Sequence, residues 1–191
     1  MSLIIIRTAV RTRFFLTSRE RASRQIQSSC DDYLALTKLI TPDCGRRPIL
    51  VPCMLGIDED MRQWSYYMVL EHHAIVNRSI TSVIESLVRD EEPTGIGAID
   101  PKRDVMPSNN PGEEKIEAFR SSVENHLKVV AGLSPLRGTR TKRHPIFGEF
   151  DAHYWHCMFA FHLLVHYKQA KYVIQKICSA QYTGSNVNHH V

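Results

Sequence analysis

The sequence lacks the features that mark membrane proteins, disulfide-stabilised proteins and repeat proteins. No apolar run in its 191 residues approaches the roughly 20 residues that a helix needs to cross a bilayer. There is no internal repeat and no CxxC pair, and an odd number of dispersed cysteines is atypical of a disulfide framework or a thiolate zinc site. We therefore expect a reducing, cytoplasmic location and no membrane partner. The five cysteines are Cys30, Cys44, Cys53, Cys157 and Cys178.

Acidic residues are nearly absent from the first 24 positions, which hold six arginines and one acid, Glu20. Mitochondrial transit peptides share this balance. We prefer the alternative that residues 1–17 form an irregular N-terminal arm, because a single sequence identifies targeting only weakly. A second basic cluster spans residues 137–143. Since the net charge is only +4 and few aromatic residues accompany the arginines, we disfavour nucleic acid as a partner.

Four segments of the chain carry apolar residues at helical spacing. Thr17 and Glu20 have the spacing of a capping box at the start of the first segment, and Pro42 stops it. Asp58 is a suitable N-cap for the second. No strand is convincing, so the pattern predicts an all-α domain over residues 18–178, a four-helix bundle of the up-and-down type. We place the helices near 18–40, 58–90, 113–131 and 149–178, with a long loop at 91–112 between the second and third and a disordered tail at 179–191.

The most informative residues are two histidines in the fourth predicted helix. His162 and His166 are four positions apart, so both project from one face of the helix. Trp155 and Phe159 mark that face as inward. A single buried histidine is more often a hydrogen-bonded core residue than a ligand. Burying two unpaired imidazoles costs about 1–3 kcal/mol each, and a shared metal ion would remove that cost.

A third ligand is available in the second predicted helix. His72 lies on its inward stripe, at a depth similar to that of His162 in the fourth helix. His73 is rotated by about 100° and remains the alternative ligand. Glu71 is either a partner for an imidazole N–H or a solvated residue, and we prefer the second interpretation. Cys157 points away from the stripe of His162, which favours a buried structural thiol.

Two stretches together resemble a known family. The first reads His144-Pro145-x-Phe147-Gly148, then Trp155, then His162-x-x-x-His166-x-x-Gln169, and the second reads Trp64-Ser65 ahead of His72. In this order they resemble the DinB/YfiT-like superfamily of metalloenzymes, in particular the subgroup with an HPxFG turn before its last helix. The resemblance covers roughly residues 18–178. The first sixteen residues and the 91–112 loop have no counterpart in it.

The resemblance implies a four-helix bundle with a mononuclear metal site whose ligands map onto His72, His162 and His166. It also implies open coordination positions and either hydrolysis or transfer to a low-molecular-weight thiol, with a metal-bound water or thiolate as nucleophile and a small molecule as substrate. We expect zinc, with nickel or iron as alternatives. A non-catalytic bundle with a structural metal is the alternative function. Whether the chain forms a homodimer stays open.

Overall fold

The computed structural model describes residues 3–90 and 104–185, and this part of the chain is mostly helical. The predicted all-α class is confirmed in that sense. None of the described helices is long and apolar enough to cross a membrane. In chain order the elements are α1 (Leu3–Leu16), α2 (Arg19–Thr37), α3 (Pro42–Arg46), a 3₁₀ turn (Glu59–Met61), α4 (Tyr66–Arg89), α5 (Glu114–Gly132), β1 (Lys142–His144), β2 (Gly148–Phe150) and α6 (Ala152–Ser185).

The four long helices α2, α4, α5 and α6 surround one apolar core. α4 packs against both α5 and α6, and α2 packs against the same two helices. Each contributes a side chain that is fully removed from solvent: Tyr33, Leu70, Phe119 and Phe159. As a result, the inner faces of α4 and α6 lie side by side, which is the arrangement on which a shared histidine site depends.

The start of α4 differs from the prediction. Asp58 precedes only the 3₁₀ turn and makes no side-chain capping hydrogen bond. Ser65 caps α4 instead, since its hydroxyl accepts a hydrogen bond from the backbone N–H of Met68 at 3.2 Å. Ser65 thereby satisfies a backbone N–H of the first turn of α4.

The irregular arm expected at residues 1–17 is instead a helix. Ile6, Val10 and Phe14 recur every four positions along α1, and this stripe packs on the core next to α6. At the other end, α6 continues to Ser185, beyond the end expected at residue 178. Residues 186–191 of the predicted tail, and residues 91–103 of the predicted loop, lie outside the described residues.

A short antiparallel hairpin between α5 and α6 escaped the sequence analysis. β1 pairs with β2 so that His144 lies opposite Gly148. The Nδ1 atom of His144 accepts hydrogen bonds from the backbone N–H groups of Ile146 and Phe147, at 3.1 and 3.3 Å. Gly148 has a φ of +84°, a conformation that favours glycine. The HPxFG motif therefore encodes a tight turn, on strands of three residues that are too short to show a period of two.

Candidate metal centre

Helices α4 and α6 bring together the three histidines that the sequence singled out. One ring nitrogen from each of His72, His162 and His166 lies within 4.8 Å of the other two. The Nε2 atoms of His72 and His162 are 3.1 Å apart. Two nitrogens bound at about 2.0–2.1 Å to a tetrahedral zinc ion would be about 3.3 Å apart. The spacing in the protein therefore fits a shared ion with small adjustments.

The proton position on His72 is set by a backbone carbonyl. Its Nδ1 lies 2.7 Å from the carbonyl oxygen of Val105, which can only accept a hydrogen bond. In the neutral ring Nδ1 therefore carries the proton, and Nε2 presents a bare lone pair toward the cluster. Burial lowers the pKa of His72 to about 4, although the Val105 carbonyl acts in the opposite direction. The ring is accordingly neutral near pH 7, as metal coordination requires.

His166 is oriented in the same way by a side-chain amide. Its Nδ1 donates to Oε1 of Gln169 at 2.9 Å, and the amide nitrogen of Gln169 donates to the carbonyl of Met61 at 2.6 Å. Since the Met61 carbonyl accepts only, it fixes which end of the amide faces His166. Burial, and secondarily the neighbouring His72, lowers the pKa of His166 to about 3. Gln169 thus leaves Nε2 of His166 bare, the role that outer partners play for metal-binding histidines.

His162 completes the cluster on its more open side. It is partly exposed, whereas His72 and His166 are each only 2% exposed. Burial of the ring, followed by the neighbouring histidines, holds the pKa of His162 well below its usual value. Its Nδ1 has no hydrogen-bond partner among the described residues. Two bare lone pairs therefore face the Nε2 of His162, so a proton on that atom or a cation must occupy the space between the rings.

Trp64 forms the inner wall of the cluster. Its ring is stacked parallel to that of His166, with centroids 6.3 Å apart, and lies 5.1 Å from the ring of His72. Trp64 is itself buried. The indole excludes water behind two of the three imidazoles, and His162 is the one ring of the three that is partly exposed. In the Trp64-Ser65 pair, which carries part of the family resemblance, Trp64 thus forms a wall of the centre and Ser65 caps α4.

Glu71 is not a solvated residue, contrary to our expectation. Its carboxylate accepts hydrogen bonds from the backbone N–H and the hydroxyl of Ser108, at 2.9 and 2.7 Å. It also pairs with Lys115 at 3.0 Å, and its side chain is only 14% exposed. Burial raises the pKa of Glu71, but the hydrogen bonds from Ser108 and Lys115 outweigh it and lower the pKa. Glu71 thereby anchors the segment that carries Val105 over His72.

The group of three converging histidines does not include His73, although its ring centroid lies 5.1 Å from that of His162 and 5.3 Å from that of His166. Its Nε2 is 2.8 Å from the hydroxyl of Tyr33, and that hydroxyl donates to the carbonyl of Leu163 at 3.0 Å. Tyr33 therefore accepts from His73, which is fully buried between α4 and α2. The alternative ligand of the sequence analysis thus occupies an interhelix position, where its Nδ1 has no hydrogen-bond partner among the described residues. The choice of His72 as the ligand from α4 stays a prediction.

Cys157 behaves as the sequence indicated. The thiol is buried, with 3% of the residue exposed, and it lies 3.6 Å from Nε2 of His153. Burial raises the pKa of Cys157 to about 12. A thiol that stays protonated at neutral pH is a poor nucleophile, so this side chain packs rather than reacts.

Several arginines of the two basic clusters are used inside the fold. Arg11 donates to the carbonyl of Glu149 at 2.8 Å, Arg19 to that of Leu133 at 2.9 Å, and Arg137 to that of Phe15 at 2.9 Å. The bond from Arg11 connects α1 to the hairpin, and the other two connect α2 and α1 to the segment after α5. The basic clusters therefore have a structural use that needs no nucleic acid.

A second group of buried histidines escaped the sequence analysis. Nδ1 of His126, on α5, lies 2.8 Å from the hydroxyl of Thr81, and its Nε2 lies 2.9 Å from Nδ1 of His156 on α6. Nε2 of His156 lies 3.1 Å from the hydroxyl of Ser23. The sequence did contain a signal for His126, because it follows Val123 by three residues and therefore lies on the core stripe of α5. The pair consequently joins all four long helices.

Comparisons with known proteins leave the family open. No protein-family model matches the chain, and no curated protein matches it. The functional argument therefore depends on the geometry of the centre and on the motifs that resemble the DinB/YfiT-like superfamily.

Proposed function

We propose that this chain is a metal-dependent enzyme of the DinB/YfiT-like superfamily. In this proposal α2, α4, α5 and α6 form its up-and-down four-helix bundle, and His72, His162 and His166 bind the metal. The observation that carries the proposal is the convergence of the three imidazoles, two of them with the proton held on the outer nitrogen. The HPxFG turn and Gln169 support the family assignment, since each has a defined structural task here.

Zinc is the ion that the donor set suits best. Three neutral imidazoles are typical zinc ligands, while nickel and iron are alternatives because both also accept imidazole nitrogen. Within residues 4–90 and 104–179, no further histidine, cysteine or carboxylate joins the group. Structural zinc sites usually have four protein ligands and catalytic sites usually have three. The donor count therefore favours catalysis.

The proposed reaction is hydrolysis of a small molecule or transfer to a low-molecular-weight thiol. A divalent cation at this centre would supply Lewis acidity, which polarises a carbonyl and favours ionisation of a water or a thiol. The protein contributes orientation: the Val105 carbonyl and Gln169 hold protons away from the centre. Trp64 closes the rear, so a substrate approaches along the partly exposed His162.

Metal analysis combined with an activity panel tests this proposal. Purified protein is assayed for bound zinc, nickel and iron, and then for turnover of esters, amides and thiol–electrophile pairs. We expect about one ion per chain and a loss of turnover of at least about a hundredfold in His166→Ala, as expected when a catalytic metal is lost. The matched control, Lys168→Ala, changes an exposed residue of the same helix. It should retain both the bound metal and the turnover. Equal turnover by wild type and His166→Ala would contradict a metal-dependent reaction.

A structural metal is the second candidate function. The observation that favours it is the burial of His72 and His166, which join α4 to α6 deep in the core. An ion there would clamp the two helices together, and the free energy of metal binding would add to that of folding. If chelation lowers the melting temperature strongly and no substrate in the panel is turned over, a structural metal replaces catalysis as the proposed function.

A further inference from the structure

The outer face of α1 exposes an unusual amount of apolar surface. Among the described residues eight large apolar side chains are exposed, and four of them belong to this one helix. Ile4 and Leu16 are each 72% exposed, Phe15 is 64% exposed and Ile5 is 58% exposed. Single exposed apolar residues are common, but four of them on one helix indicate a surface that contacts something else.

The exposed face of α1 carries no charged residue of the helix itself, and the Arg137 guanidinium lies 5.5 Å from the centre of the Phe15 ring. At about 100° per residue, Ile4, Ile5, Phe15, Leu16 and the intervening exposed residues fall within an arc of about 140°. The intervening residues are Thr8, Ala9 and Thr12. Arginines lie at both margins of the arc, Arg11 on one side and Arg13 on the other, and residues 3–19 contain no acid. Helices that lie in the surface of an anionic membrane have this combination of an apolar face and cationic margins.

A cavity opens beside the C-terminal end of this face. It has a volume of about 290 Å³ and lies between α1, α2 and α6. Arg13, Thr17, Arg21 and Gln25 supply its polar lining, and no carboxylate lines it. Two guanidinium groups with a hydroxyl and an amide are suited to a phosphate group, because arginine donates to phosphate oxygens in a bidentate way.

We propose that α1 binds peripherally to an anionic phospholipid membrane, with its apolar face among the acyl chains and a lipid phosphate in the cavity between Arg13 and Arg21. This inference is independent of the metal centre. It also departs from the expectation of no membrane partner, which rested on the length of apolar runs. Run length tests whether a helix spans a bilayer, whereas a helix that lies in the interface is recognised by its two faces.

A second copy of the chain fits this surface less well. In a two-fold symmetric dimer each patch meets its own copy. Contact through this face would bring together two copies of a helix that carries arginines at its margins and no acid. Like charges brought together across an interface cost several kcal/mol. An anionic lipid surface supplies the missing counter-charge.

Vesicle co-sedimentation tests the proposal with two kinds of liposome. The full chain is mixed with vesicles of phosphatidylcholine alone, or of phosphatidylcholine with about one-third phosphatidylserine, whose surface attracts each nearby Arg by about 1 kcal/mol. We expect binding to the anionic vesicles, weakened by high salt. Arg13→Gln/Arg21→Gln should lower this partitioning by about 30-fold, which corresponds to about 1 kcal/mol for each arginine. Phe15→Ser/Leu16→Ser should lower it by at least about tenfold.

Matched controls keep the test specific. Leu50→Ser/Leu55→Ser removes two exposed leucines, 60% and 81% exposed, from the loop before α4, and Arg47→Gln/Arg78→Gln removes two exposed arginines elsewhere. Both controls should bind vesicles like wild type. No binding to anionic vesicles, equal loss in the controls, or inorganic phosphate binding without vesicle binding would overturn the proposal. So would a dimer in solution that Phe15→Ser/Leu16→Ser dissociates while vesicles stay unbound.

Discussion

The two buried histidine groups of this protein differ in where their lone pairs point. In the metal centre, the outer nitrogens of His72 and His166 donate to neighbours, so their bare Nε2 atoms face His162. In the second group, His126 and His156 follow one another head to tail, with Nε2 of one ring 2.9 Å from Nδ1 of the next. In the first group the lone pairs converge on one point, whereas in the second group the rings follow one another in a line.

The linear group is satisfied without any ligand. The hydroxyl of Thr81 donates to the carbonyl of Asn77 at 2.7 Å, so it accepts from Nδ1 of His126. Nε2 of His126 can then accept from Nδ1 of His156, whose own Nε2 lies 3.1 Å from the hydroxyl of Ser23 and 3.3 Å from the carbonyl of Arg19. Every donor in this line has an acceptor. Burial and residue type are therefore insufficient to identify a metal site, since the proton positions fixed by the neighbours decide it.

The largest expected effect separates the two groups by mutation on one helix. His166→Ala should reduce bound metal from about one ion per chain to background, because two imidazoles do not retain the ion against chelators. His156→Ala should keep stoichiometric metal, although it leaves a buried nitrogen of His126 unpaired and lowers the free energy of unfolding by about 2–4 kcal/mol. Plasma emission spectrometry and urea unfolding measure the two outcomes. Metal loss in His156→Ala would mean that the groups act as one.

Acidification should weaken both groups but release metal from only one. Burial lowers the pKa of His156 to about 4, below the ordinary 6.5, so the unfolded chain binds a proton more readily than the folded one. The free energy of unfolding should therefore fall as the pH drops from about 6.5 to about 4, on the order of 3 kcal/mol for this group. The free energy of unfolding of the metal-loaded protein should fall further, because protons compete with the ion for the three coordinating nitrogens. Metal content that is unchanged at about pH 3 would argue against histidine ligation.

A smaller effect is expected from the outer partner of His166. Gln169→Leu removes the acceptor that holds the proton on Nδ1, so part of the population would present a protonated Nε2 to the ion. Metal affinity should fall by about 10- to 100-fold while the ligand set stays intact. Isothermal titration calorimetry gives the ratio, with Lys168→Ala as the control from the same helix. An unchanged affinity would show that the Met61–Gln169–His166 connection has no influence on binding.

The smallest effect should follow from His73, the neighbour of a ligand. His73→Phe keeps an aromatic ring at this position, slightly larger than the imidazole, and leaves Tyr33 bonded to the carbonyl of Leu163. Metal affinity should stay within about threefold of wild type, below the 10-fold threshold typical of outer partners. If His73→Phe removed the metal and His72→Ala retained it, the assignment of the α4 ligand would be wrong by one residue.

The sequence predicts the three histidines of the converging group, but it does not predict the groups that form hydrogen bonds with them. Helical spacing places His162 and His166 on one face and selects His72 over His73, because the period of the helix decides which side chains point inward. No comparable rule predicts that the carbonyl of Val105 reaches His72, 33 positions away in the chain. The same limit applies to Glu71, whose partners Ser108 and Lys115 come from a distant segment.

Local cues were misleading at the start of α4 and at α1. Asp58 and Ser65 are both good caps, and only the hydrogen bond from the Met68 backbone N–H to the Ser65 hydroxyl shows which of them begins α4. In α1 the arginines suggested an arm or a transit peptide. Their hydrogen bonds to hairpin carbonyls, for example from Arg11 to Glu149, depend on tertiary contacts that composition does not reveal.

The carbonyl of Val105 has a thermodynamic consequence for the segment that carries it. Because this carbonyl selects the coordinating form of His72, the position of residues 104–112 and the affinity for the ion are linked, and the linkage is reciprocal. If the proposed centre binds metal, any change that loosens the anchor between Ser108 and Glu71 should weaken that binding, and a bound ion should in turn oppose opening of the segment. The backbone amide of Ser108, bonded to the Glu71 carboxylate, should then exchange its hydrogen with solvent more slowly once metal is bound. Through this one carbonyl, binding of a metal ion at the histidine centre would reduce the motion of residues 104–112.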